Sequence, residues 1–478
     1  MKTKDRLLRA AFVSLALGIA WSIRGDYGGI MGVGYCGAVL GMGFACVSGQ
    51  RAMFKWMPLL AAAAALSIYP TVTYYEPFHA YACNKTFVNY SYGLFGLILQ
   101  GGGWACFACC LIGLMLEKEP LRASEWASVI ATVFVSAFLV YYVVVTILNI
   151  HLTYGPPYAI SRSGIPTDKI IGVNGGVIGL LVWLIWNKKR YGLKAAVIGY
   201  IAFGLGMSGG RFLANVRDYS TWKIGDWYVL QGLFSRFGNV MEINVGLIGG
   251  FLFTYGMLGK KAPELPEGKH CRLLSVYSIF YVLAGIPILL RVLRVSGSVY
   301  DGDTGLDKLH KWMTTFQQYG YADPAKLAAR IPTAVSLVCV LAVVGAVVWL
   351  LMHSRNKYRF AAFPVLCLSA VMIVIQNIEH RYLFYPIGDV SLKMFLFPGM
   401  FLLMLLFAIF VKTPEVTEPD EVDERVNWRR WLLGAVVAYA FMVVLSGPVN
   451  AGRRDKVPLD QMRFSVGDKI PIPWRSGH

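Results

Sequence analysis

Three short stretches of this chain gather acids, imidazoles and guanidinium groups that could move protons or hold an anion. The densest is Gln376-Asn377-Ile378-Glu379-His380-Arg381-Tyr382, followed by Pro386, Gly388, Asp389 and Lys393. Successive side chains on a helix point about 100° apart, so Glu379, His380 and Arg381 share one site only where the backbone is irregular. Pro386 and Gly388 allow that just downstream. A second stretch runs Ser208-Gly209-Gly210-Arg211-Phe212-Leu213-Ala214-Asn215 and resumes at Arg236-Phe237-Gly238-Asn239-Val240-Met241-Glu242. Glu242 stands about one turn inside an apolar, glycine-rich run, where a carboxylate suits proton transfer and Arg211 or Arg236 could balance its charge. The third stretch places Arg24 and Asp26 between two apolar runs with almost no loop between them.

Two carboxylates are the usual minimum for glycoside hydrolysis. Read as an enzyme, the chain has Asp26, Glu242, Glu379 and His380 as its catalytic candidates. Arg24, Arg211 and Arg381 would hold a carboxylated, sulfated or phosphorylated part of the substrate, and Asn215, Asn239 and Asp389 complete the substrate-binding set. Segments such as Tyr154-Gly155-Pro156-Pro157-Tyr158 and Asp226-Trp227-Tyr228 mix rings with polar groups, which suits the apolar faces and hydroxyls of a sugar. Each cluster also has a structural reading, as an ion pair fixing a turn, a satisfied polar network or an interfacial anchor of tyrosines and long cations. The competing functional reading is a secondary transporter of a small polar or anionic solute, with Asp26, Glu242 and Arg211 as a coupling site among glycine-rich helices. A structural or assembly role without turnover is a third.

Metal chemistry has little support. There is no HExxH pattern, and Asp301-Gly302-Asp303-Thr304-Gly305 lacks the bidentate glutamate of a calcium loop. Cys106, Cys109 and Cys110 fall at helical spacing inside an apolar run, which reads as small side chains filling a helix interface. No cofactor is expected.

The elements that must carry these residues are set by composition. With 56% hydrophobic and 15% charged residues in 478, most of the chain belongs in lipid. A net charge of +18 could suggest nucleic acid, but the Lys and Arg come in clusters between apolar runs, as inner-face loops do, so no nucleic-acid partner is expected. Apolar stretches of bilayer-spanning length fall near 7–23, 28–49, 53–69, 91–116, 125–150, 169–186, 194–209, 239–258, 273–293, 332–353, 360–377, 390–411 and 431–447. Every second connection is basic, which makes the expected fold an all-α polytopic membrane protein of about thirteen spans, N-terminus inside and C-terminus outside.

The transmembrane domain is expected over 1–447 and an outer tail over 448–478. The first run reads as a retained span rather than a cleaved leader, and residues 18–49 fit either two spans or a re-entrant hairpin. Long aromatic connections near 70–90, 151–168, 210–238, 295–331 and 378–389 face outward, where a site is expected. Cys83 is the one cysteine in an outer connection, so no outer disulfide is expected. Asn84-Lys85-Thr86 and Asn89-Tyr90-Ser91 are outer-side glycosylation sequons that matter only in a eukaryotic host. The absence of a eukaryotic sorting signal makes a bacterial inner membrane the default location, with the lipid bilayer and a carbohydrate or lipid-linked substrate as partners.

Overall fold

The computed structural model describes residues 3–24, 29–48, 75–117, 119, 121–152, 168–219, 223–224, 227–228, 240–258, 317, 320, 365–366, 369, 399–404, 406–407, 427–451, 465–466 and 470–471. Two compact units divide the chain. The first comprises Met1–Ala62, Arg236–Gly238 and Glu264–Glu418; the second comprises Ala63–Ser235, Asn239–Pro263 and Pro419–His478.

In the first unit, α1 (Thr3–Arg24) and α2 (Gly29–Ser48) are the described helices. They run antiparallel: Gly32 lies against Arg24, Gly43 against Val13, and the Arg9 guanidinium donates to the Val47 carbonyl. A Cβ on Gly32 would sit 2.5 Å from the Arg24 carbonyl oxygen, so glycine is what lets the chain double back here. Residues 18–49 therefore form two helices rather than a short dip, each about 30 Å long at about 1.5 Å per residue.

The second unit begins with the short helix α3 (Tyr75–Ala82) and continues through α4 (Phe87–Met115) and α5 (Ala123–Tyr141), which ends in a π turn over Tyr142–Ile147. After β1 (Ile150–His151) come α6 (Lys169–Trp186), α7 (Arg190–Tyr219), strands β2 (Lys223–Ile224) and β3 (Trp227–Tyr228), and α8 (Val240–Met257). Helix α9 (Trp428–Asn450) and strands β4 (Ser465–Val466) and β5 (Ile470–Pro471) complete it. β1, β4 and β5 form an antiparallel sheet in that order, with Ile150 opposite Val466 and His151 opposite Ser465. β2 and β3 pair as a hairpin.

Among the described residues seven helices are long and apolar enough to cross a membrane: α1, α4 to α8 and α9. An all-α membrane protein is the architecture this gives. Expected spans at 53–69, 273–293, 332–353, 360–377 and 390–411 lie wholly or mostly outside the described residues. One difference bears on function. The run expected at 194–209 is a helix over Arg190–Tyr219, so Arg211 and Asn215 belong to its last turns and not to a loop.

Glycine seams hold the second unit together. A Cβ on Gly101 would lie 2.5 Å from the Phe203 carbonyl oxygen, one on Gly113 2.2 Å from that of Tyr191, and one on Gly210 2.6 Å from that of Met241. The antiparallel pairs α4–α7 and α7–α8 thus touch backbone to backbone, as small residues permit in lipid. Gly175 and Gly179 do the same against Val140 and Ser136, bringing α6 onto α5. Cys106, Cys109 and Cys110 are buried and unoxidised, with Cys109 filling the space over Gly199. Outward faces are apolar instead: Phe134 on α5 and Val444 on α9 are 71% and 70% exposed, as lipid contact requires.

The unit has two chemically distinct ends. Lys188 turns the chain from α6 to α7 with φ of 55°, Lys189 pairs with Glu125 at 2.8 Å, and the Gly192 amide donates to Glu117 at 3.0 Å. Trp431 packs over Gly256 at the same end, so the basic residues Arg429 and Arg430 gather there too. At the opposite end lie α3, the start of α4, the ends of α5, α7 and α9, and the starts of α6 and α8.

Candidate functional site

The site is built where α3 enters the bundle. Its expected place was an outer connection over 70–90, yet it packs down the side of α4 because Gly93 and Gly96 leave room for it. A Cβ on Gly93 would lie 2.1 Å from the Ala82 amide nitrogen, and one on Gly96 would overlap the Phe78 ring. Tyr92 closes the contact with edge-on rings at 5.8 Å from Phe78 and 5.5 Å from Tyr81. The turn into α4 is set by Asn84, whose side chain accepts from the Thr86 amide at 2.9 Å.

His79 and Cys83 stand four residues apart along α3 and its turn, so they present to one side. Arg211 and Asn215 stand four apart on α7, and the two pairs meet. One terminal nitrogen of Arg211 donates to the Cys83 sulfur and the other to His79 Nε2 at 3.4 Å, so that ring nitrogen acts as an acceptor. The same nitrogen touches Met241 Sδ at 2.8 Å. Cys83 donates to Asn215 Oδ1 at 3.6 Å, and Asn215 donates to the Ala82 carbonyl at 3.0 Å. From α9, Asn450 donates to the Ala82 and Asn84 carbonyls at 3.1 and 2.9 Å. Two asparagines from distant helices thereby satisfy carbonyls that the end of α3 leaves open.

Cys83, Asn84, Asn215 and Asn450 are fully buried or nearly so, and Arg211 is 8% exposed. Among the described residues no carboxylate pairs with Arg211, whose Nε–H has no acceptor. Ser208, one turn earlier on α7, buries a hydroxyl that also lacks a partner among the described residues. Leaving such a donor unmet costs about 1–3 kcal/mol, more for a charged group. The arrangement is a guanidinium held in place by neutral partners with hydrogen-bonding capacity left over, which is what an incoming anion needs.

Of the residues singled out from sequence, Arg211 and Asn215 are brought together here. Glu242 is half-buried in the first turn of α8, where the unpaired amides of the helix favour a carboxylate, and its neighbour Met241 touches His79. Arg24 belongs to the first unit, where its guanidinium lies 5.0 Å over the Trp21 ring. Asp26, Asn239, Glu379, His380, Arg381 and Asp389 lie outside the described residues.

Cys83, Asn450 and Ser208 were not among the candidates. The four-residue spacing of His79 and Cys83 was a readable signal for the first; the docking of Asn450, more than three hundred residues away in sequence, had none. Both sequons are closed in the folded chain, since Asn84 and Asn89 are 0% and 1% exposed.

A second polar knot lies at the same end. Asp168 receives His151 Nδ1 at 2.7 Å and the Leu152 amide at 2.6 Å, while His151 Nε2 meets Asn149 Oδ1 at 2.6 Å. Asn149 takes the left-handed conformation, φ of 51°, that ends α5. Tyr92 of α4 donates to the Leu152 carbonyl, tying this knot to the helix that carries α3. Near the middle of the helices the polar contact is neutral: Tyr200 donates to Asn174 at 2.8 Å. No group of three or more His, Cys, Asp or Glu suited to a metal ion occurs among the described residues. No protein-family model matches this chain, and no curated protein sequence does.

Proposed function

We propose that the chain is a membrane-embedded enzyme with an outward-facing site that acts on a carbohydrate or lipid-linked glycan by carboxylate acid–base chemistry. The observation that carries this reading is the depth of Arg211. It stands about 31 Å along α7 from Arg190 at about 1.5 Å per residue, roughly the full thickness of a hydrocarbon core. The cluster around it therefore sits at the boundary opposite the basic end, and the positive-inside rule makes that boundary the outer one. An aqueous or headgroup-borne substrate meets an enzyme there, whereas coupled transporters hold their substrates near the midplane. In this reading Arg211 and Asn215 bind, and Glu242, in the first turn of the neighbouring helix α8, is the acid or base. The chemistry requires a second carboxylate as well, and about thirteen spans carry the whole in a bacterial inner membrane.

The test is turnover by the purified full chain in nanodiscs, offered a panel of polyprenyl-phosphate- and polyprenyl-diphosphate-linked sugars with glycan acceptors. Products are read by mass spectrometry. Glu242→Gln should slow turnover at least about 100-fold, the usual worth of a general acid or base. Transport is the second reading, favoured by the backbone-to-backbone seams along α7, which give helices a surface on which to slide. No turnover on any panel member, together with solute flux in proteoliposomes that Glu242→Gln abolishes, would replace the enzyme reading with transport.

A further inference from the structure

We propose that Ser208 and Arg211 form an oxyanion receptor for a phosphate group carried at the membrane surface. This rests on the functional reading above only in sharing Arg211, and it specifies what that residue binds. Three observations lead to it. The Nε–H of Arg211 and the Oγ–H of Ser208 are both buried without an acceptor among the described residues, and they stand three residues apart on α7, on neighbouring turns of one face. Among the described residues the side-chain partners of Arg211 are Cys83 and His79, neither of which brings a carboxylate to its positive charge. A carboxylate partner would have made the group a structural ion pair; a thiol and a ring nitrogen position the guanidinium without cancelling it.

Phosphate fits this donor set better than a carboxylate. A guanidinium edge takes two oxygens of one group, and a hydroxyl from the next turn reaches a third, which a phosphate has and a carboxylate lacks. The depth argument agrees, because phosphates of membrane lipids and of lipid-linked sugars lie at the boundary that Arg211 occupies. His79 and Asn215 act as positioning residues: His79 accepts from Arg211, and Asn215 holds Cys83 against it.

The experiment measures retention, not turnover. The full chain is purified in nanodiscs of digalactosyldiacylglycerol, a bilayer lipid without phosphate, doped in turn with phosphatidylglycerol, a polyprenyl monophosphate or oleate, and the lipids kept by the protein are read by native mass spectrometry. Inorganic phosphate serves as a soluble competitor. A phosphate-bearing lipid should be retained over oleate. Arg211→Gln should weaken that retention about a hundredfold, the loss of the positive charge and of two charge-assisted hydrogen bonds, and Arg211→Lys should restore part of it. Ser208→Ala should weaken it about tenfold, the loss of one hydrogen bond to a charged oxygen. If inorganic phosphate competes as well as the lipids do, the receptor serves a free phosphate, and the shared chemistry stands. Equal retention of oleate and phosphate lipids overturns the phosphate assignment. Retention unchanged in both Ser208→Ala and Arg211→Gln overturns the receptor. Should Arg211→Gln fail to fold, Arg211→Lys and Ser208→Ala decide. Retention that responds to these variants in a protein without glycan turnover would keep the receptor while removing the enzyme reading.

Discussion

The two ends of the second unit treat charge in opposite ways. At the basic end Glu125 meets Lys189 at 2.8 Å with both side chains partly in solvent, and Glu117 accepts from the start of α7. That pair is matched and partly hydrated, and the chain could lose either member cheaply. At the other end a guanidinium 8% exposed is held by a thiol, an imidazole and the asparagines behind them, with a donor to spare. Water and opposite charge both stabilise a cation, and among the described residues Arg211 contacts no carboxylate and is nearly closed to water. A folded protein keeps such a group where binding something later compensates it.

The contrast can be broken most forcefully at Gly93. Substituting Ala puts a Cβ 2.1 Å from the Ala82 backbone nitrogen, which forces α3 away from α4 and dismantles the cluster. A loss of about 3 kcal/mol or more is expected, read as a fall in the temperature at which the detergent-solubilised protein loses its monodisperse gel-filtration peak. Gly434→Ala on α9, where nothing lies within 4 Å, should leave that temperature unchanged or raise it.

Asn450→Ala comes next. It strips one donor from each of two buried carbonyls, of which Asn215 still serves Ala82, so about 1–3 kcal/mol should be lost in the same assay. At the basic end Glu125→Ala should change stability by no more than about 1 kcal/mol, and that difference should shrink in high salt. The smallest effect on stability sharpens the comparison most. Arg211→Met replaces a buried cation that meets no carboxylate among the described residues by an apolar chain of similar length and should be neutral or slightly stabilising, while abolishing phosphate-lipid retention. A large destabilisation by Arg211→Met would instead mark the guanidinium as structural.

Much of this was legible in the sequence because lipid imposes it. Runs such as 169–186 and 239–258 recur as helices over 169–186 and 240–257, since a chain in hydrocarbon must satisfy its own backbone polar groups within each run. The glycines of these runs read correctly as contact surfaces for the same reason. Helix ends were less legible. Arg211 marks the point where the hydropathy of α7 fails, yet the helix continues to Tyr219, because packing against α3 and α8 shelters the polar residues that a hydropathy window treats as loop.

What the sequence by itself determined is the helical, membrane-spanning class and the identity of Arg211, Asn215 and Glu242 as polar residues in apolar surroundings. Only the tertiary structure decided which residues answer them. Cys83 and His79 reach Arg211 because two glycines admit α3 alongside α4, and Asn450 reaches the end of α3 across more than three hundred residues of chain. Periodicity records which face of a helix avoids water; it carries no record of which distant face lies opposite. The partners of a buried charge are therefore set by packing.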